Sequence, residues 1–296
     1  MAYQIRRDDR NIKAMVRRIA RERIDSALER ASELPDAAGV HEIRKETKKL
    51  RGLLQLVKPR FKGAARANAA LKRGAAELAQ LRDAEVRLAT FDSLAEALDD
   101  PAPTEPIRAV LAEEVERLRA PKQLRAATKA LRETLLQLRG EIGDWKIKGG
   151  GFDVLGEGLG TTWRQARRDM KRAGRSFNGA FNAEPFHDWR RSVKHHWYQA
   201  RILEPLWPEM MAPHIAAADA LGALLGDHND LDVLVVRLAG DLPEDTGPAA
   251  ARLTERALER RHLLAGRALI LGRRLLADRP EALVARWGCW WALWRG

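Results

Sequence analysis

Apolar residues recur at spacings of three and four along most of the chain, in long segments dominated by Ala, Leu, Arg and Glu. This period matches the 3.6 residues of an α-helical turn, and the sequence lacks the alternating β-branched runs that favour strands. Pro and Gly gather in short stretches that divide the pattern into about eight long helices. The pattern therefore predicts an all-α protein, with breaks at 33–40, 59–63, 99–106, 140–160, 177–185, 205–213 and 241–248.

The chain also contains an internal repeat. HEIRKETKKLRGLLQLVKPRF at 41–61 aligns with HDWRRSVKHHWYQARILEPLW at 187–207 at a constant offset of 146, the difference between 187 and 41. Nearly the same offset relates LAQLRDAEVRL at 78–88 to LGDHNDLDVLV at 225–235. Because two separate segments keep their order and distance, the sequence predicts two related halves.

The richest group of helix breakers, IKGGGFDVLGEGLG, lies near the middle of the chain. It divides the predicted helices into two sets of about four. We therefore expect one repeat over residues 1–148 and a second over residues 149–296.

The composition narrows the class of partner. Hydrophobic residues make up 45% of the 296 residues, enough for a sizeable core, while a formal net charge of +12 attracts anions. The single cysteine, Cys289, excludes an intrachain disulfide and a cysteine-based metal site. The charged start MAYQIRRDDRNIK lacks the apolar core of a signal peptide, and no apolar run approaches the roughly 20 residues that span a bilayer. We expect a soluble, cytoplasmic protein.

Two predicted helices carry a stripe of basic residues at i, i+3, i+4, i+7 and i+8, which places them on one helical face. Such a stripe on a single helix is usually a solvated surface, but its duplication favours a binding role. Like charges one turn apart also repel, and a bound polyanion would relieve that repulsion. The first stripe comprises His41, Arg44, Lys45, Lys48 and Lys49; the second comprises His187, Arg190, Arg191, Lys194 and His195, extended by Tyr198 and Arg201.

The helix that opens each half adds further cations at helical spacing. Arg offers a planar fork of donors to phosphate, Lys a flexible point charge, and His a charge that changes near neutral pH. Taken alone, each opening helix would be a solvated face, but next to the two basic stripes it becomes a candidate for phosphate or sulfate binding. The candidates are Arg17 and Arg21 in the first half and Arg164, Arg168 and Lys171 in the second.

Acidic residues occur in Arg-Asp-Ala-Glu at 82–85 and Asn-Asp-Leu-Asp at 229–232. Residues i and i+2 of a helix point about 160° apart, so neither pair is a good chelate for a metal ion. We expect no metal and no cofactor. We assign Asp83 and Asp230 a supporting role, in which they pair with basic residues of the two stripes.

At these residues the chain resembles the CHAD family, the conserved histidine α-helical domain, from residue 3 to about 290. The resemblance rests on the duplicated His-x-x-Arg-Lys/Arg-x-x-Lys helix, each followed by a Leu-x-x-x-(Arg/Asn)-Asp helix. It implies two four-helix bundles related by a pseudo-twofold axis, whose basic faces line a central groove or pore that binds inorganic polyphosphate. The halves differ in detail, since Gln55 corresponds to Arg201 and Gly52 to Tyr198.

Binding without catalysis is the function that we predict from these features, with inorganic polyphosphate as the partner. Nucleic acid or another polyanion is the alternative, since any basic groove attracts phosphates. A phosphoester enzyme would need His41 or His187 as nucleophile or general acid, and the sequence shows no phosphate loop or Ser/Cys nucleophile beside either residue. The C-terminal Trp287, Trp290, Trp291 and Trp294 fit a helix docked on the bundle better than a membrane-surface helix. Granule localisation follows from the resemblance alone, and the oligomeric state stays open.

Overall fold

The computed structural model describes residues 3–32, 37–179 and 182–296, and within these ranges it contains α-helices and no strand. The all-α prediction is confirmed. No helix in the described ranges is both long enough and apolar enough to cross a membrane. The helices are α1 (Ile12–Ser32), α2 (Ala37–Val57), α3 (Ala64–Gly74), α4 (Ala76–Ala95), α5 (Glu105–Arg119), α6 (Pro121–Glu141), α7 (Asp153–Asn178), α8 (Glu184–Leu203), α9 (Pro208–Leu238), α10 (Gly247–Leu275) and α11 (Pro280–Arg295).

The described chain has more helices than the sequence pattern predicted, because three expected helices are each divided in two. Pro121 begins α6, and the residue before it has an extended conformation that ends α5. Pro280 begins α11 after a short gap that follows the end of α10 at Leu275. The third division, between α3 and α4, follows Gly74. A Cβ on Gly74 would lie 2.5 Å from the hydroxyl of Thr134, so this turn is shaped by contact with α6.

The expected break at 140–160 is shorter than predicted, since α7 begins at Asp153 and contains three glycines of that stretch. Gly158 is buried where α7 meets α2, and a Cβ there would lie 1.7 Å from the carbonyl oxygen of Leu56. These glycines therefore permit close helix packing rather than forming a linker.

One apolar core extends through both halves of the chain. Within it, α1, α2, α3 and α6 pack on one another, α7 packs on α8, α8 on α9, and α2 lies against both α7 and α8. A second cluster is built from α4 and α5 together with α9 and α10, so it also joins the two halves. Helix α11 packs on α7 and buries Trp287 and Trp294, as the docking interpretation expects. The boundary between residues 148 and 149 stays a prediction.

The two basic helices, α2 and α8, cross at Gly52 and Tyr198. A Cβ on Gly52 would lie 2.6 Å from the Cβ of Tyr198, so only glycine lets the helices approach this closely. These positions are 146 residues apart and hence equivalent in the repeat. The pseudo-twofold relation between the halves stays a prediction.

Candidate functional site

Beside this crossing, α2 and α8 bring four basic residues into one group, Arg44, Lys48, Arg190 and Lys194, which we call the Lys48 cluster. Part of the Lys48 side chain reaches solvent, yet the protein around it displaces water and lowers its pKa to about 8. The positive charges of the other three members also contribute to this shift. The cluster therefore combines cations from both halves at short range.

Helix α9 supports the α8 side of the Lys48 cluster through two small residues one turn apart. The Lys194 side chain crosses Gly222, where a Cβ would lie 2.9 Å from its Cε, and the Arg190 Nε lies 3.7 Å from the corresponding position of Gly226. The Arg190 Nε is buried and has no hydrogen-bond partner among the described residues. A buried donor without an acceptor is costly, and an anionic oxygen would satisfy it.

Two exposed carboxylates lie against the Lys48 cluster. Arg44 Nη2 lies 3.9 Å from Asp83 Oδ1, and Lys194 Nζ lies 3.2 Å from Asp219 Oδ1. The side chains of Asp83 and Asp219 are 65% and 54% exposed, so these pairs are weak. Asp83 does meet a residue of the basic stripe, at the distance of a loose ion pair. The cluster keeps a net positive charge.

A second basic group, the His195 cluster, consists of Arg51, Lys58, Arg191 and His195. Burial lowers the pKa of His195 to about 4, and the charges of Arg51, Arg191 and Lys58 contribute to this shift. The imidazole is therefore neutral at physiological pH. The basic stripes predicted from the sequence do not include Arg51 and Lys58. Arg51 lies one turn after Lys48, and Lys58 follows two turns later.

His187 lies beside a carboxylate of α9, but that carboxylate is Asp232 and not Asp230. The His187 Nε2 is 3.2 Å from Asp232 Oδ2, and Arg261 donates to Asp232 Oδ1 at 2.7 Å. Burial opposes ionisation of Asp232, but His187 and Arg261 outweigh it and lower the pKa of the carboxyl. Asp230 instead accepts a hydrogen bond from Asn229 at 3.1 Å. Asp232 therefore has the orienting contact that the sequence analysis expected of Asp230.

Two lysines of the first stripe are engaged elsewhere. Lys49 is buried and forms an ion pair with Glu46, at 2.5 Å, and Glu46 also accepts a hydrogen bond from the buried Arg23 at 2.9 Å. Lys45 is exposed and pairs with Glu42 on its own helix at 3.2 Å. Neither lysine is a member of the two basic clusters.

Tyr198 and Arg201 lie near the crossing in different surroundings. Tyr198 is buried, which raises its pKa to about 12 and keeps the phenol neutral. Arg201 and Lys194 both lie 4.7 Å from the ring centroid of Trp197. These cation–π contacts fix two cations beside the crossing.

The predicted cations of α1 and the first histidine have fewer specific contacts. Arg17 donates to the backbone carbonyl of Trp145 at 3.0 Å, so part of its hydrogen-bonding capacity is used within the fold. Arg21 is exposed on α1, and His41 is exposed near the start of α2. His41 thus differs from its repeat equivalent, His187, which lies beside a carboxylate.

The predicted cations of α7 do not join the two clusters. Arg164 pairs with Glu281 of α11 at 3.1 Å, and Arg168 donates to Gln165 on its own helix. Lys171 lines a separate cavity of about 340 Å³ between α7 and α10. Helix α7 therefore contributes mainly to packing around the site.

One protein family matches the chain over most of its length. A family model described as the CHAD domain matches residues 18–239, which include both basic helices and α9. A search of curated proteins found no significant match. Among the described residues, no three His, Cys, Asp or Glu side chains are grouped as a metal site. Because the family match covers most of the chain, this protein belongs to the CHAD family.

Proposed function

We propose that this protein binds inorganic polyphosphate at the Lys48 cluster without turning it over. The observation that carries the proposal is Arg190, whose buried Nε has no partner among the described residues and lies in a group of cations from both halves. The CHAD domain is known to bind polyphosphate, which supports this choice of polyanion.

The chemistry of binding follows from the charges of the cluster. A phosphate oxygen would accept from the Arg190 guanidinium, and its negative charge would offset the mutual repulsion that lowers the pKa of Lys48. A long chain offers several phosphates to one protein molecule, so its affinity gains from simultaneous contacts. Affinity should therefore increase with chain length.

A catalytic role is the alternative to binding alone. His187 beside Asp232 has the histidine–carboxylate contact that a general acid or base uses. In the proposed function this contact fixes the orientation of the imidazole and takes no part in catalysis. The alternative predicts release of orthophosphate when the protein is incubated with polyphosphate, whereas the proposed function predicts an unchanged chain length.

The experiment that tests the proposal is a competition assay. Labelled long-chain polyphosphate is bound at physiological salt, and tripolyphosphate and single-stranded DNA of matched charge are added as competitors. We expect DNA to displace the label poorly, and the affinity to fall steeply with salt because binding releases counterions. Equal competition by DNA would make the protein a general polyanion binder, and a flat salt response would refute the electrostatic site.

A further inference from the structure

The crossing of α2 and α8 has two flanks that the repeat makes equivalent. Residues 146 positions apart correspond, so every member of the His195 cluster has a counterpart on the opposite flank. If the flanks were alike, an anion could continue from the Lys48 cluster in either direction. The corresponding pairs are Arg51 and Trp197, Lys58 and Glu204, Arg191 and Lys45, and His195 and Lys49.

The flank of the His195 cluster is open and cationic. Lys58 and Arg191 are exposed, and Arg51 is half-buried and donates to the amide oxygen of Asn68 at 2.9 Å. Asp188 pairs with Arg191, but it also pairs with a cation of α7 at 3.0 Å, so its charge is shared. This flank therefore keeps excess positive charge next to the Lys48 cluster.

The N-terminal segment covers the opposite flank. Tyr3 Oη donates to the backbone carbonyl of Lys49 at 2.5 Å, and Gln4 Nε2 donates to Glu204 Oε2 at 2.6 Å. The backbone N–H of Ile5 donates to a carbonyl in the last turn of α8 at 3.0 Å. Protein atoms of the N-terminal segment thus lie against both helices on this flank.

The lysines of this covered flank are paired with carboxylates, and its arginine, Arg201, lies 4.7 Å from the ring centroid of Trp197. Lys49 is buried against Glu46, Lys45 pairs with Glu42, and the counterpart of Lys58 is a glutamate. The two flanks therefore correspond in sequence and differ in the pairing of their cations.

We propose that the His195 cluster is a second phosphate-binding subsite, onto which a long polyphosphate chain continues from the Lys48 cluster on this flank alone. The proposal rests on the proposed function, since the Lys48 cluster is the first subsite. Arg51 and Lys58 then become specificity-determining residues for chain length.

The two subsites are contiguous on both helices. Arg190 and Arg191 are neighbours on α8, and Lys48 and Arg51 are one turn apart on α2, about 4.5 Å along its axis. A short anion can be held by the Lys48 cluster alone, whereas a long one reaches both groups. The subsite therefore contributes to affinity only for longer chains.

The test compares Lys58→Ala/Arg191→Ala with Lys122→Ala/Arg125→Ala, which removes the same two residue types from the exposed face of α6. Binding of long-chain polyphosphate and of tripolyphosphate is measured for both variants and for the wild type. We expect the first variant to lose about tenfold in affinity for the long chain and less than about twofold for tripolyphosphate. The α6 control should change both affinities by less than about twofold.

Two outcomes would overturn the subsite. An equal loss for both ligands would mean that Lys58 and Arg191 act only through overall charge, and no loss for the long chain would mean that the anion does not reach them. Failure of the wild type to bind either polyphosphate would instead refute the proposed function itself.

The titration of His195 is a second measurement, and it should not change if the cluster has only a structural role. Nuclear magnetic resonance of its imidazole between pH 5 and 8 should show a neutral ring in the free protein, because its pKa is about 4. Long-chain polyphosphate should bring its titration into this range by offsetting the charges of Arg51, Lys58 and Arg191, and tripolyphosphate should not. A titration of His195 that long-chain polyphosphate leaves unchanged would contradict the proposal.

Discussion

Helices α2 and α8 begin with the same basic pattern, but only part of each pattern faces the same surroundings. Arg44 and Lys48 of α2 meet their equivalents on α8, Arg190 and Lys194, in one cluster. The positions at i+8 diverge, because Lys49 is an ion-paired lysine and its equivalent on α8 is a neutral histidine. The cations one and two turns before the crossing are the same residue types in both repeats, and the position directly before it differs, since Arg51 corresponds to Trp197.

The crossing itself is a place where the two repeats differ in sequence. The Cβ atom of Tyr198 leaves no room for a Cβ at the equivalent position 52. Gly52 opposite Tyr198 resolves that conflict. The two flanks of the crossing also differ, because one carries the His195 cluster and the other is covered by the N-terminal segment.

The largest effect is expected where α7 holds α2 in place beside α8. In Gly158→Ala the new Cβ would lie 1.7 Å from the carbonyl oxygen of Leu56, a backbone atom that cannot rotate away. We expect a loss of about 3 kcal/mol in the free energy of unfolding, at the upper end of the cost of overpacking. Thermal and denaturant unfolding measure this loss. Gly140→Ala, where a Cβ meets nothing within 4 Å, is the control and should leave stability unchanged or higher; a similar stability for both variants would contradict the close approach.

Helix α8 also differs from α2 in carrying a buried histidine, His196, where α2 has Leu50. The His196 Nε2 lies 2.7 Å from the His214 Nε2. Burial lowers the pKa of both groups, to about 4 for His214 and well below the usual range for His196, where His214 adds to the effect. The unfolded chain therefore binds protons more readily than the folded protein as pH falls.

The two histidines therefore do not reduce the free energy of unfolding above about pH 6.5. Below that pH the free energy of unfolding falls towards pH 4, by up to about 1.4 kcal/mol per pH unit for each histidine that is protonated only in the unfolded chain. His196→Leu/His214→Leu should show a smaller fall of Tm between pH 7 and pH 5 than the wild type. The remaining fall is assigned to His195 and His228, whose pKa is also lowered to about 4. The same pH dependence in both proteins would show that the histidine pair is not responsible.

The adjacent lysines Lys48 and Lys49 of α2 are expected to have different roles, one in binding and one in stability. Lys48→Ala should lower polyphosphate affinity about tenfold and leave stability unchanged or higher, because it removes a repelled cation. Lys49→Ala should cost about 2 kcal/mol of stability by removing the buried partner of Glu46, with an affinity within about threefold of the wild type. Binding titrations below the unfolding temperature and thermal melts separate the two effects. If Lys49→Ala lost affinity and Lys48→Ala lost stability, Lys49 and not Lys48 would lie in the site.

The smallest expected effect is a pH dependence of binding. Because the pKa of Lys48 is about 8, its ammonium loses its proton between pH 7 and pH 9, and affinity should fall about fivefold over that interval. Lys48→Arg keeps its charge and should remove most of this dependence. An equal pH dependence in that variant would assign the titration to another group.

The sequence predicted the helical fold and the shared face of the basic residues on each helix, for one physical reason. On a helix, positions i+3 and i+7 lie within about 60° of position i, so Arg44 and Lys48 share the face of His41 with little dependence on context. Position i+8 lies about 80° away, at the edge of the stripe. Lys49 and His195 occupy that edge, and their burial is decided by neighbouring helices that the periodicity does not describe.

Other features depended on contacts between distant parts of the chain. Arg51 lies about 80° to the other side of His41, so a search for one basic face passes over it, and only the crossing angle brings it to His195. The choice of Asp232 over Asp230 depends on the rotation of α9 against α8. The position of Tyr3 over the crossing joins residues about 50 and 200 positions apart, for which a single sequence contains no local signal.

The central claim is that cations from both repeats meet in one polyphosphate site, and the affinity of Arg44→Ala/Arg190→Ala for long-chain polyphosphate tests it most directly. These equivalent arginines lie at the two sides of the cluster, and loss of both should weaken binding about 100-fold while Tm stays unchanged or rises. An affinity within about twofold of the wild type, in a variant that unfolds normally, would contradict the account.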